Sequence, residues 1–274
     1  MQIHSISKVL SFVLILIGGV IVYFGYSLHN QLSVYIFVPV FFLVVLYVFH
    51  GPLDHWFISK YPLKFDERLR EWLSKYFSPY KNMNPAERSL FEYRLTLYME
   101  GRLFQSVGSE MKDVPEDIKC MVAAHGVWMG LGHKDYLMGD IDRIYLYKHP
   151  FPTPSFQYLH NVEVNTEDGV IILSLEQLTN AVLYPDDYYN IAYHAYAEAF
   201  MFTQKGITYP NLDMTWTMIE QVSNWSKERF LEQTGMPELS TLPVHISLYF
   251  SMPEKYHKYC PELWSHWERI FRMN

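Results

Sequence analysis

The feature that most constrains this chain is the uncharged apolar run near its N-terminus, VLSFVLILIGGVIVYFGYSL, Val9–Leu28. At a helical rise of about 1.5 Å per residue the run is long enough to cross a bilayer core of about 30 Å. A short polar break, His29-Asn30-Gln31, leads into a second uncharged run from about Leu32 to Phe49. A signal peptide is the competing reading of the first run. The lack of a small-x-small cleavage site and the second run directly behind it argue against that. Residues 1–52 are therefore expected to form a transmembrane helical hairpin, with Pro39 tolerated as a kink. The connecting turn has no Lys or Arg, whereas Lys60, Lys64, Arg68, Arg70 and Lys75 follow the second run. Positive residues stay on the cytoplasmic side. That rule predicts both termini in the cytoplasm and the chain in the cell inner (cytoplasmic) membrane, although only Lys8 speaks for the N-terminal side.

Beyond the hairpin, residues 53–76 read as a juxtamembrane connector. Phe65, Leu69, Trp72, Leu73 and Tyr76 recur in it at helical spacing among charges. Such a helix can lie on the membrane surface or pack on the following domain, and the pattern leaves both open. The 274 residues carry a net charge of −7, without the basic face that phosphate binding needs, so nucleic acid is not an expected partner. The two cysteines, Cys120 and Cys260, lie outside any C-x-x-C spacing, which suits a reducing compartment and no disulfide framework. The 22 Tyr, 18 Phe and 7 Trp are read as a packed aromatic core.

Residues 77–274 alternate in type. Asn84-Pro85-Ala86-Glu87 is a helix start, with Asn84 as cap, Pro85 in the first turn and Glu87 placed for a capping box; this helix is expected to reach about Phe104. Asp113-Val114-Pro115-Glu116 opens a second helix through Ile118–Leu131, closed by Gly132. Ile141–Tyr147 and Val170–Leu173 read as strands, the latter after Gly169. Helices are expected at Tyr188–Thr203, at Met214–Gln233 ended by Gly235, and at Pro261–Phe271. This order gives an α+β fold.

The chemistry-bearing motif is His194-Ala195-Tyr196-Ala197-Glu198. A zinc-peptidase helix reads H-E-x-x-H: two imidazoles one turn apart hold the metal and the Glu activates water. Here the first His is present, Ala195 stands at the base and Glu198 stands at the second ligand. Four-residue spacing puts His194 and Glu198 on one helix face, so both are candidate zinc ligands. Two readings stay open: a weakened or lost zinc site, or a hydrogen-bonded pair across one turn.

Several further segments, in order, resemble the MtfA-type zinc metallopeptidases (Mlc titration factor A, peptidase family M90). Phe77-Ser78-Pro79-Tyr80 with Asn84-Pro85-Ala86-Glu87-Arg88 is similar to the family's opening stretch. Met121-Val122-Ala123-Ala124-His125, ending Gly130-Leu131-Gly132, resembles its I-A-A-Q-A helix. Ile144–Tyr147 and Gly169–Ser174 resemble its two strands. Asn190-Ile191-Ala192-Tyr193-His194 matches N-V-V-x-H, and Met252–Lys255 through Pro261–Leu263 its closing segment. The resemblance implies a zincin-like fold: a ligand-bearing helix beside a small sheet, and a Glu on a later helix completing the metal site. It also implies an edge strand, Gly169–Ser174, able to hold an extended peptide by main-chain pairing.

Carried across, the family's third ligand falls at Ser240 or Ser247, with Glu238 and His245 nearby. Ala195 removes the general base, a loss that costs about 10²–10⁴-fold in rate. The expectation is a membrane-anchored, catalytically impaired homologue acting as a protein- or peptide-binding or regulatory module. Its rivals are a working peptidase with relocated ligands, for instance His194, Glu198 and His245, and a membrane scaffold protein. The remaining histidines, His125, His133, His149 and His160, are expected at the surface or as caps. Ser174 and Cys120 have no base at triad spacing.

Overall fold

The structure, a computed structural model, describes residues 5–27, 34–61, 64–108, 112–210 and 214–272. The chain divides into two compact units, Met1–Lys64 and Phe65–Asn274.

In the first unit, α1 (Ile6–Ser27) and α2 (Phe37–Lys60) pack along one another and are long and apolar enough to cross a membrane. Pro39 sits in the first turn of α2, where a missing N–H costs nothing, so it demands no kink. Pro52 is the proline inside that helix. The open ends of the two helices are joined by Asp54. Its carboxylate accepts from the Ser7 amide at 2.8 Å and from the Ser5 and Ser7 hydroxyls at 2.8 and 2.7 Å, satisfying donors at the start of α1. The predicted turn His29–Gln31 lies outside the described residues.

The second unit begins with α3 (Glu67–Tyr76), capped by Asp66. Leu73 is fully buried and Phe65 nearly so, with Leu69 and Trp72 packed beside them. The apolar face of the connector is thus turned into the core of this unit. Then follow α4 (Ser78–Asn82) and α5 (Pro85–Glu100). The helix from Asn84 ends at Gly101, not Phe104, because Leu103–Val107 pairs as strand β1. After α6 (Glu116–Met129) come β2 (Arg143–Tyr147), β3 (Val162–Asn165) and β4 (Val170–Ser174).

The sheet order is β1-β2-β4-β3, with β1, β2 and β4 parallel and β3 antiparallel to β4. This corrects the expectation for Gly169–Ser174. β4 is hydrogen-bonded on both sides, Ile171 pairing with Ile144 and with Val164, and so has no free edge for a peptide. The edges belong to β1 and β3. Gly169 is required where it stands. Its φ is +67°, and a Cβ there would lie 2.2 Å from the Asp140 carbonyl oxygen.

Helices α7 (Leu175–Leu183), α8 (Ile191–Thr203), α9 (Trp216–Ser223), α10 (Lys227–Thr234), α11 (Thr241–Ser251), α12 (Pro253–Tyr259) and α13 (Pro261–Phe271) complete the unit. The single helix expected over Met214–Gln233 is two. Asn224 adopts a left-handed conformation that closes α9, and Ser226 caps α10 anew. Helix α8 is central: nine of its 13 residues are buried, and it packs on α6, α11 and the strands β3 and β4. Ala192, Ala195, Ala197 and Ala199 keep its surface small enough for that approach.

Candidate site on the central helix

Asn190 caps α8, accepting from the Tyr193 amide at 3.1 Å. His194 follows one turn later and is 2% exposed. Its Nδ1 lies 2.8 Å from the Tyr189 hydroxyl, and its Nε2 lies 3.4 Å from Glu198 Oε1. Burial pushes the Tyr189 phenol well above its ordinary range, so it keeps its proton and serves as donor. The assignment that follows is a neutral imidazole, accepting from Tyr189 at Nδ1 and directing Nε2–H at the carboxylate. The Ser247 hydroxyl, beside Tyr189, donates to the Asn190 carbonyl at 3.2 Å.

The structure brings His194 and Glu198 together as their spacing predicts. A separation of 3.4 Å also matches one edge of a tetrahedral zinc site with bonds of about 2.0–2.1 Å. What the pair lacks is company. Among the described residues no group of three or more His, Cys, Asp or Glu side chains is placed to hold a metal ion. Ser247, where the register puts a third ligand, is a buried hydroxyl, and Ser240 precedes α11 at its N-cap.

The relocated set fails on orientation. His245 lies two residues from Ser247 on α11 and turns the other way, with Nδ1 2.8 Å from the Tyr256 hydroxyl. That hydroxyl accepts from Trp267 Nε1 at 2.9 Å, so it donates to His245. Burial lowers the His245 pKa to about 4. His125 is equally committed: Nδ1 bonds the Met121 carbonyl at 2.7 Å and Nε2 faces the Asn190 amide at 3.1 Å. Its pKa is likewise lowered to about 4 by burial.

Three histidines expected at the surface or as caps, His125, His133 and His160, are instead buried, each with a polar partner and aromatic neighbours. An imidazole is tolerated in a core once its ring nitrogens are bonded. His149 is exposed against Glu176. Ser174 caps α7, and the Cys120 thiol is pushed up by burial in the core.

Sequence reasoning missed Tyr189. No motif marks it, and the only signal is an aromatic hydroxyl just before the cap of the His-bearing helix. It also missed the buried cluster in which Thr153 Oγ1 and His160 Nε2 approach Glu163 Oε2 at 2.7 and 3.1 Å.

Two cavities of about 740 and 730 Å³ open on this unit. The first is a polar depression around Gln177, Arg229 and Gln233; the second is an aromatic groove around Trp128, Tyr249 and Trp264. Neither is lined by His194 or Glu198. Chemically, the α8 site holds a proton in a satisfied chain from Tyr189 through His194 to Glu198, and Ala195 gives a water molecule no base. Neither a family model nor a curated protein matches the chain.

Proposed function

We propose that this chain is a membrane-anchored, catalytically impaired relative of the MtfA-type zinc metallopeptidases that acts as a protein- or peptide-binding or regulatory module. The observation that carries the reading is the environment of His194. Both ring nitrogens are engaged, by the Tyr189 hydroxyl and by Glu198, beside an apolar Ala195. Two features support the kinship: a His-bearing helix packed on a small mixed sheet, and a later helix, α11, packed against it with Ser247 in the third-ligand position. Zinc affinity is weak or lost in this reading. If a peptide pairs with the sheet, it does so at an edge strand, β3 or β1, in place of β4. The hairpin anchors the chain in the inner membrane and the larger unit faces the cytoplasm, an assignment supported by the Lys and Arg residues after α2.

The test is metal analysis of the purified full chain together with a peptide-hydrolysis assay. The reading expects well under one zinc per chain and no chelator-sensitive cleavage. Stoichiometric zinc with chelator-sensitive hydrolysis overturns it. A second reading, a membrane scaffold, is favoured by the near-complete burial of His194. Sequence-selective binding on a peptide array favours the binding module over the scaffold.

A further inference from the structure

A groove of about 730 Å³ is walled by Trp128, Leu131, Phe250, Trp264 and Phe271, on helices α6, α11 and α13. Its volume and lining fit a small-molecule site, which is typically about 300–1,000 Å³, mostly apolar, with a few convergent polar groups. Tyr249 supplies one such group. Its ring is packed 4.7 Å from Trp264 and 4.9 Å from Phe250, and the residue is 3% exposed. Yet its buried hydroxyl meets no acceptor. A buried, unbonded hydroxyl is costly, and it points to a ligand that supplies an acceptor.

The second polar group is the Arg272 guanidinium, which lines the same groove beside the Tyr249 phenol. Arginine has donors only, so the two groups together present donors and a positive charge. Of the acids nearby, Glu87 is occupied by the Asn84 amide at 3.0 Å in the α5 capping box. Glu268 reaches Arg272 at 3.3 Å from the solvent side, in an exposed pair that costs little to open.

We propose that this groove binds a small amphipathic monocarboxylate, with its apolar chain against the Trp128–Trp264 wall and its carboxylate on Arg272 and the Tyr249 hydroxyl. The site shares no residue with the His194 chain and does not depend on the peptidase reading.

The test uses the full chain in phosphatidylcholine nanodiscs, with tryptophan fluorescence read during titration with octanoate, 1-octanol and octylamine. Octanoate is expected to give saturable quenching at least about tenfold tighter than either neutral or cationic analogue, a difference of about 1.4 kcal/mol. Trp264→Phe should diminish the signal. Tyr249→Phe, which keeps the ring, and Arg272→Gln, at an exposed site, should each weaken octanoate about tenfold and leave octanol unchanged. Equal binding of the three probes, no saturable quenching, or octanoate affinity unchanged in both variants overturns the proposal. So does tighter binding of an apolar peptide's free C-terminus than of octanoate, which would assign the groove to chain ends.

Discussion

Replacing Ala195 by Glu would restore the residue that activates water in a zinc-peptidase helix, and its cost measures whether a cleft exists there. Ala195 is 0% exposed and belongs to the hydrophobic core around α8. A carboxylate fully buried without a partner has its pKa raised by about 3–5 units. At about 1.4 kcal/mol per unit that is roughly 4–7 kcal/mol at neutral pH. Overpacking adds about 1–3 kcal/mol, against a total stability of about 5–15 kcal/mol for a domain. Ala195→Glu should therefore leave the larger unit barely folded at pH 7. Ala195→Gln separates volume from charge, because it overpacks equally but does not ionise. The Glu carries a raised folded pKa, so its extra penalty is absent below the unfolded value of about 4.3 and grows as pH rises above it. The assay is thermal unfolding of both variants from pH 4 to 8. The midpoints should nearly coincide at pH 4 and separate by about 6 °C or more at pH 7, taking about 2–4 °C per kcal/mol for a unit of this size. Midpoints that stay together at pH 7, close to that of the unaltered chain, would show a solvated space above Ala195 and refute the argument for a sealed site.

Other outcomes follow from the same structure. Tyr189→Phe keeps the ring contact with Phe230, 5.0 Å away, but strands His194 Nδ1; a loss of about 1–3 kcal/mol is expected in denaturant titrations. His125 and His245 have folded pKa values of about 4 against about 6.5 unfolded. The unfolded chain therefore binds more protons between those values, and stability, full above about pH 6.5, should fall as pH drops toward 4. His125→Gln should flatten that slope in a series of thermal melts. Gly169→Ala, at φ +67° with a Cβ 2.2 Å from a backbone oxygen, should cost more than about 3 kcal/mol. Gly108→Ala, at φ +109° with nothing within 4 Å, carries only the conformational part, about 1–2 kcal/mol. Equal losses at the two glycines, measured by chemical unfolding, would discount the close contact.

What could be read before the structure was local. The Asn84 capping box forms as its spacing requires, with Glu87 N to Asn84 Oδ1 at 2.9 Å and Asn84 N to Glu87 Oε2 at 3.0 Å. Pro261–Phe271 begins and ends where expected, because its proline lies in its own first turn. The meeting of His194 and Glu198 needed only helical geometry. Strand neighbours are another matter. β4 is interior because β3, a short segment with no clear alternation, returns antiparallel to cover its edge. Likewise β1 is a strand because β2 lies beside it, although its residues continue a helical pattern. At the site, Tyr189 and Ser247 were out of reach for the same reason. One precedes the helix it serves and the other arrives from a helix 57 residues beyond Asn190, so their convergence is tertiary.

The Tyr189–His194–Glu198 chain also has an evolutionary consequence. A metal centre there would require a third ligand near Ser247, a base at Ala195 and release of the imidazole from Tyr189. Each change alone disturbs a buried, satisfied position before any metal affinity is gained. Close neighbours of this kind are coupled, so the gain appears only when several are changed together. Selection acting one substitution at a time therefore meets a valley on every side of the present sequence. The helix behaves as a ratchet: drift can alter what it binds, but no short mutational walk leads to a hydrolase.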